Sequence, residues 1–297
     1  MSRTLARRKE NAAGFLFASP WLLGIAIFML YPVGASLYYS FCDYSILKPP
    51  MNVGLDNYRE LAADAVFWKV SANTLIYAVL SLPTSMLVAL GLAMLLNNKV
   101  RALPVFRTIF FLPSLVPQVA LAVLWLWIFN SEHGIFNTLL DHVGISGPNW
   151  LGDPAWTKPC LAVMAMWGCG NMMVIYLASL QDVPATYLEA AELDGAGAWA
   201  RTRHITLPMI SPIIFFNLIT GMIGVLQVFT VPYVMFPDGT PARSSYFYTT
   251  YLFDNAFKFN KMGYACAMAW IMLISILILT GIAAKLSSKH VYYEGAQ

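Results

Sequence analysis

Residues 187–212 read YLEAAELDGAGAWARTRHITLPMISP, and this charged interval separates two strongly apolar runs, 159–181 and 204–237. Its front half, 184–193, reads as a short helix, because proline in a first helical turn sacrifices no hydrogen bond. Asp194 and Gly195 read as its stop, since glycine takes the left-handed cap without steric penalty. A second short helix over 198–206 follows before Leu207 and Pro208 lead back into apolar sequence. Taken physically, this is either a polar connector or a compact helix–Gly–helix elbow. With only Ala190 and Ala191 on one side, such an elbow fits into a cleft on another protein.

The rest of the chain sets the context. Its 297 residues are 59% hydrophobic and 11% charged, against about 25% charged in soluble domains. Six runs lack Asp, Glu, Lys and Arg: 11–42, 70–98, 108–131, 159–181, 204–237 and 262–284. Each exceeds the ~18 residues that mark a membrane helix. The expected fold is therefore all-α and polytopic, with six transmembrane helices and both termini on one side. Lys and Arg decide which side. Segments 1–10, 99–107, 182–203 and 285–297 hold 4, 3, 2 and 2 of them, 11 in 54 residues, whereas 43–69, 132–158 and 238–261 hold 3, 1 and 3, 7 in 78. The denser set is expected in the cytoplasm, with the 187–212 interval among it. The basic first ten residues precede an apolar run too long for a signal peptide, so a retained first span is expected.

Several chemistries find no residues. The charge-free runs offer no intramembrane carboxylate of the kind that proton-coupled carriers use. No paired protease residues and no H-E-x-x-H occur, and no P-loop sequence for ATP is present. The four histidines, His133, His142, His204 and His290, stand outside metal-site spacing. Cys42, Cys160, Cys169 and Cys266 read as buried small hydrophobes, and the position of Cys42 and Cys160 near outward-facing span ends leaves a disulfide between them open. A transporter with neither an ion-coupling group nor a nucleotide site must borrow its energy from another subunit. The alternative is an ion-coupled secondary transporter of a small solute, which would need a coupling site not evident here.

Glu189, Ala190 and Ala191, then Gly195, then Ile205, Leu207 and Pro208, satisfy every position of the E-A-A, three residues, Gly, nine residues, I-x-L-P pattern. The interval thus resembles the EAA loop of ABC importer permeases, of the binding-protein-dependent sugar type that includes the maltose and glycerol-phosphate permeases. Gly54, Leu55, Asn57 and Tyr58, then Phe67 and Trp68, then Asn73, Thr74 and Leu75 resemble the stretch those permeases carry before their second span. Tyr58, Phe67 and Trp68 read equally as interfacial anchors. The run Met262, Gly263, Tyr264, Ala265 is similar to the start of their last span.

The resemblance implies a type I ABC importer permease fold in three parts. These are an N-terminus, first helix and outer segment over 1–69, a permease core over 70–285 with a coupling loop at 182–208, and a cytoplasmic tail over 286–297. It implies a transport subunit and not an enzyme, located in a bacterial or archaeal cytoplasmic membrane. Its function would be to translocate a sugar or related small solute by alternating access. Implied partners are a second homologous permease, an ATPase dimer that binds ATP and Mg, and an extracytoplasmic solute-binding protein; the chain itself holds no cofactor or metal. Glu189, Ala190, Ala191, Asp194, Gly195, Ile205, Leu207 and Pro208 would couple to the ATPase. Carried over from the maltose-type relatives, Ser114, Gln118, Trp167, Gly168, Met222, Leu226 and Phe229 would line the solute path. Ser114, Gln118 and Trp125 are expected on one helical face, as path lining or as helix–helix glue. In the fifth span the polar set Asn217, Thr220, Gly224 and Gln227 is expected on a different face from Met222, Leu226 and Phe229.

Overall fold

A computed structural model describes residues 3–98 and 102–287, with side chains from Gly14 onward. The tail residues 288–297, including His290, lie outside the described residues, as do 99–101. Helices α1 (Arg3–Ile25) and α2 (Tyr31–Ser40) are joined by a π-helical turn, and a hairpin of β1 (Cys42–Ser45) and β2 (Lys48–Asn52) follows. Then come α3 (Asp56–Ala63), α4 (Ala65–Leu96), α5 (Leu103–Phe111), α6 (Gln118–Ile128), α7 (Ile135–His142), α8 (Thr157–Trp167) and α9 (Gly170–Gln181). The chain continues through α10 (Ala185–Leu193), α11 (Ala198–Arg201), α12 (Leu207–Met209), α13 (Ser211–Leu226), α14 (Thr230–Met235), α15 (Tyr248–Phe253) and α16 (Met262–Ser287).

Four helical stretches are long and apolar enough to cross a membrane: Gly14–Ser40, Ala65–Leu96, Ser211–Met235 and Met262–Ser287. Two bent pairs bring the number to the expected six when each counts as one span: Leu103–Leu115 with Gln118–Ile128 at 100°, and Thr157–Trp167 with Gly170–Gln181 at 45°. The third span is therefore not the single helix expected over 108–131. It begins earlier, includes Arg107, and turns a corner at Val116 and Pro117. Pro117 lacks an N–H to continue the ladder, and both residues take extended backbone, with ψ of 127° and 137°. The fifth span is also interrupted, at residues 227–229.

The molecule divides into two compact units. One comprises the chain up to Asp64 together with Leu252–Leu273. Here Asn57 ties down the end of the first span, donating from Nδ2 to the carbonyls of Ser40 and Cys42 at 2.9 Å each. Tyr58 donates to Ser40 Oγ at 2.8 Å and braces the same end. Lys261 pairs with Glu60 at 2.8 Å, and the Tyr264 hydroxyl donates to Asp64 at 2.7 Å. Gly263 lies so close to the Cys42 carbonyl that a β-carbon would overlap it.

The second unit spans Ala65–Tyr251 and the remainder of the last helix from Ile274, and α4 is its ruler. Its buried face repeats every four residues: Asn73, Tyr77, Ser81, Ser85, Ala89, Ala93. At one end, Asn73 Nδ2 donates to the carbonyls of Arg243 and Tyr246, and Thr74 Oγ1 accepts from the Tyr248 N–H. Tyr77 then enters an aromatic cluster with Trp125, Phe129, Met164, Phe236 and Phe247. At the far end, Ala89, Ala93 and Leu96 pack with Met173, Tyr176, Leu177, Leu180 and Ile210. The two apolar clusters leave Ser81 and Ser85 between them. All four cysteines are free, and Cys42 and Cys160 each donate to a backbone carbonyl, of Tyr38 and Trp150 respectively.

Candidate functional site

The 182–208 interval folds as two helices around Gly195. Pro184 serves as the N-cap of α10 and not within its first turn, with φ −63° and ψ 128°. At the other end Gly195 N–H donates to the Glu192 carbonyl at 3.0 Å and Ala196 N–H to the Ala191 carbonyl at 2.8 Å. This is the Schellman pairing, which requires a left-handed residue at the cap, and Gly195 has φ +82°. Asp194 is the C-cap. Arg201 on α11 reaches back to Glu192 at 2.6 Å and holds the two arms together.

The elbow presents Glu189 and Ala190 as exposed residues, with Ala191 half-buried. Glu189 has no ion-pair partner among the described residues. Three large apolar side chains stand out around it: Leu193 at 90% exposure, Trp199 at 73% and Tyr187 at 51%. The stems are half-buried by contrast. Val183 before the elbow and Leu207 after it both pack against the cluster around Met173 and Ile210. Ile205 and Pro208 are half-buried as well. The arrangement is a rigid, apolar-tipped projection clamped at both ends to the helix core.

A cavity of about 530 Å³ lies farther along the same unit, between α4, α8, α9 and α13. Ser81 and Ser85 line it from α4, Asn171 from α9, and Asn217 and Thr220 from α13, with Gln118 at the start of α6. A second hollow of about 310 Å³ shares Tyr77, Gln118, Ala165, Gly168, Gly224 and Val228, and adds Gln227 and Phe229. Neither hollow is lined by Asp, Glu, Lys, Arg or His. Among the described residues no three metal-ligating side chains come together.

Of the seven residues expected along a solute path, Gln118 and Gly168 line both hollows and Phe229 lines the smaller. Ser114, Trp167, Met222 and Leu226 line neither. Ser114 lies before the corner in the third span, donating to the Phe111 carbonyl at 2.7 Å, so it does not share a helical face with Gln118. Trp125 is core, packed edge-on against Trp167 at 5.9 Å. Met222 is half-buried and Leu226 buried on other sides of α13. The polar set on α13, Asn217 and Thr220 with Gly224, is the one that faces the larger hollow. Phe229 caps α14 beyond the break, off the helix that carries Met222.

Sequence reasoning passed over Ser81 and Ser85. Their signal was the four-residue repeat of small and polar residues along 77–93, set in a helix that is otherwise apolar on all sides.

The family model described as binding-protein-dependent transport system inner membrane component matches residues 81–291. Among curated proteins, the probable ABC transporter permease protein YesP of Bacillus subtilis is 38% identical, covering 100% of this chain and 97% of its own length. The lactose transport system permease protein LacF of Rhizobium radiobacter is 35% identical, over 94% of this chain and 95% of its own. Among solved structures, a chain of the bacterial alginate ABC transporter has the same fold, with TM-score 0.85 and 23% identity over 97% of this chain and 98% of that one.

Proposed function

This chain belongs to the binding-protein-dependent transport system inner membrane components, and from that premise we propose that it works as one of two permease subunits in an importer of a small saccharide. It is a multi-pass inner-membrane transport subunit, and this family is not one of enzymes or of ion-coupled carriers. ATP and Mg are bound by a separate ATPase dimer, and a solute-binding protein delivers the sugar on the opposite side. The elbow over 182–208 faces the cytoplasm with both termini, in keeping with the Lys and Arg bias.

The observation that carries this reading is the elbow itself. Among the described residues Glu189 stands unpaired, on an elbow that also exposes Tyr187, Leu193 and Trp199. A carboxylate among apolar groups suits a groove whose rim offers an Arg or Lys, and charged hydrogen bonds of that kind are roughly twice as strong as neutral ones. Because Val183 and Leu207 pack on one cluster, movement of the elbow is passed to α4, α9 and the start of α13. Closure of the ATPase dimer would thereby shift the helices around the cavity between two access states.

The test is Glu189→Lys in the assembled importer. The variant is expected to insert in the membrane at normal level, to lose most of the co-purifying ATPase, and to lose uptake. Retention of the ATPase with normal solute-stimulated hydrolysis would reduce the elbow to a connector.

A further inference from the structure

We propose that the outer rim of the second unit is an entry site for an anionic saccharide, where Lys69, Lys158 and Arg243 receive a carboxylate or phosphate group on the sugar. The proposal rests on the importer reading above, with its topology, and adds to it a site outside the hollows and a substrate class.

Three elements bring the cations together. Lys69 on α4 donates from Nζ to the Ala242 carbonyl at 2.7 Å, and Asn73, one turn on, donates to the Arg243 carbonyl at 2.9 Å. Thr157, at the head of α8, shares a 3.0 Å hydrogen bond with Ser244 Oγ, which sets its neighbour Lys158 beside the same loop. The Lys69 and Lys158 ammoniums stand close enough to repel one another. None of the three side chains pairs with a carboxylate among the described residues, Asp238 on the same loop included. Other cations of this chain are matched: Arg59 with Asp56, Arg201 with Glu192, Lys258 with Asp254 and Lys261 with Glu60. Like charges gathered without a counter-charge repel one another and draw an anion in.

The loop pays for its shape in backbone strain. Ala242 and Arg243 have φ of +51° and +55°, left-handed values that cost a residue with a side chain roughly 1–2 kcal/mol each. Such strain persists where the surroundings over-determine it, and it gathers at ligand clamps. Here the bonds from Lys69 and Asn73 to the two carbonyls supply the constraint.

The two lysines lie on faces that lead inward. Lys69 precedes Asn73 and Tyr77 on the four-residue stripe of α4, and Tyr77 lines both hollows. Lys158 precedes Leu161 and Ala165 by three and seven residues, on one face of α8, and both of those line the smaller hollow. At 1.5 Å per residue the lysines stand about 10–12 Å outward of Tyr77 and Ala165. An anion is thus gripped where it enters, and the hollows, lined by no charged side chain, let it leave; passage needs both. The competing occupant of this rim is an acidic face of the binding protein. A docking face would need outward-standing side chains, whereas Lys158 is half-buried on the stripe that runs inward.

The experiment uses the whole importer, this chain with its partner permease, ATPase and binding protein, in proteoliposomes with labelled lactose, digalacturonate and lactose phosphate. Wild type is expected to prefer one of the two anions to lactose, and the one preferred assigns carboxylate or phosphate. A cleft of one sign raises capture about 10- to 1,000-fold in all, so removing one charge of three should cost about 2- to 10-fold. Lys158→Gln and Arg243→Gln are each expected to raise the KM for that anion by this factor and to flatten its dependence on ionic strength. Lys48→Gln, which removes an exposed cation from the hairpin, should leave the KM unchanged. Thermal midpoints should match wild type, because neither Lys158 nor Arg243 has an ion pair to lose. Absence of a preference for either anion over lactose overturns the proposal, as does an unchanged KM in either variant. A lowered midpoint in both would assign the rim to structure and overturn it too. So would a fall in sugar-free ATP hydrolysis at subsaturating binding protein, which would make the rim a docking face. Failure of the ATPase to co-purify with wild type would instead sink the importer reading on which the proposal rests.

Discussion

Replacing Gly195 by alanine isolates one physical term. A β-carbon at this position meets no atom within 4 Å, so no clash arises with the rest of the chain. What remains is the backbone: φ of +82° is costly for an L-residue with a side chain, by roughly 1–2 kcal/mol. The Schellman bonds from Gly195 and Ala196 exist only while that φ is held. A penalty of 1–2 kcal/mol shifts the population of the intact elbow by about 5- to 30-fold, which is enough to weaken docking yet small against the packing that anchors Val183 and Leu207. Gly195→Ala is therefore expected to reach the membrane normally and to release the ATPase during purification in detergent. Gly195→Asn should recover much of the binding, because asparagine visits the left-handed region more readily. The assay is the ratio of ATPase to permease after affinity purification, with uptake measured beside it. If Ala and Asn behave alike, conformation at this cap is not what the partner needs, and the reasoning fails.

Gly170 is expected to behave differently. A β-carbon there would meet the Phe110 carbonyl oxygen at 2.9 Å and Phe111 Cα at 3.0 Å, backbone atoms that cannot swing away, so Gly170→Val should lower the thermal midpoint by an amount equivalent to about 1–3 kcal/mol. Asn73→Ala should also destabilise, by about 1–3 kcal/mol, since it strips donors from two carbonyls of the 243–246 loop; an unchanged midpoint in detergent would count against that bracing role. For topology, Tyr187→Cys and His133→Cys in a chain cleared of its own four cysteines should label oppositely with an impermeant thiol reagent in intact cells, His133→Cys reacting and Tyr187→Cys not.

How far the sequence could be read depended on whether a feature is local. The elbow is built from neighbouring residues, a cap, a left-handed glycine and two short helices, so its pattern survives in one dimension. The apolar runs likewise announced the spans, because a membrane helix is defined by length and charge alone. The corner at Val116 and Pro117 was foreshadowed by two prolines but hidden by counting one charge-free run as one helix, which also left Arg107 outside the third span. Inward-facing residues were harder. In a helix that is apolar on every side, no stripe tells which face meets the core, and so Ser81 and Ser85 went unread. On α13 the residues' own polarity, Asn217 and Thr220, pointed to the cavity, whereas positions transferred by resemblance, Met222 and Leu226, did not.

The corner in the third span has a mechanical consequence. Leu103–Leu115 and Gln118–Ile128 meet at 100°, so axial travel in one arm has almost no component along the other. The pair has the geometry of a bell crank, with the short extended link at Val116 and Pro117 at its corner. Gly170, at the head of α9, bears directly on the end of the first arm at Phe110 and Phe111, and the same α9 runs on toward the elbow. On the proposed coupling role of the elbow, a thrust passed along α9 would be turned at the corner into a sideways swing of Gln118, at the rim of the cavity.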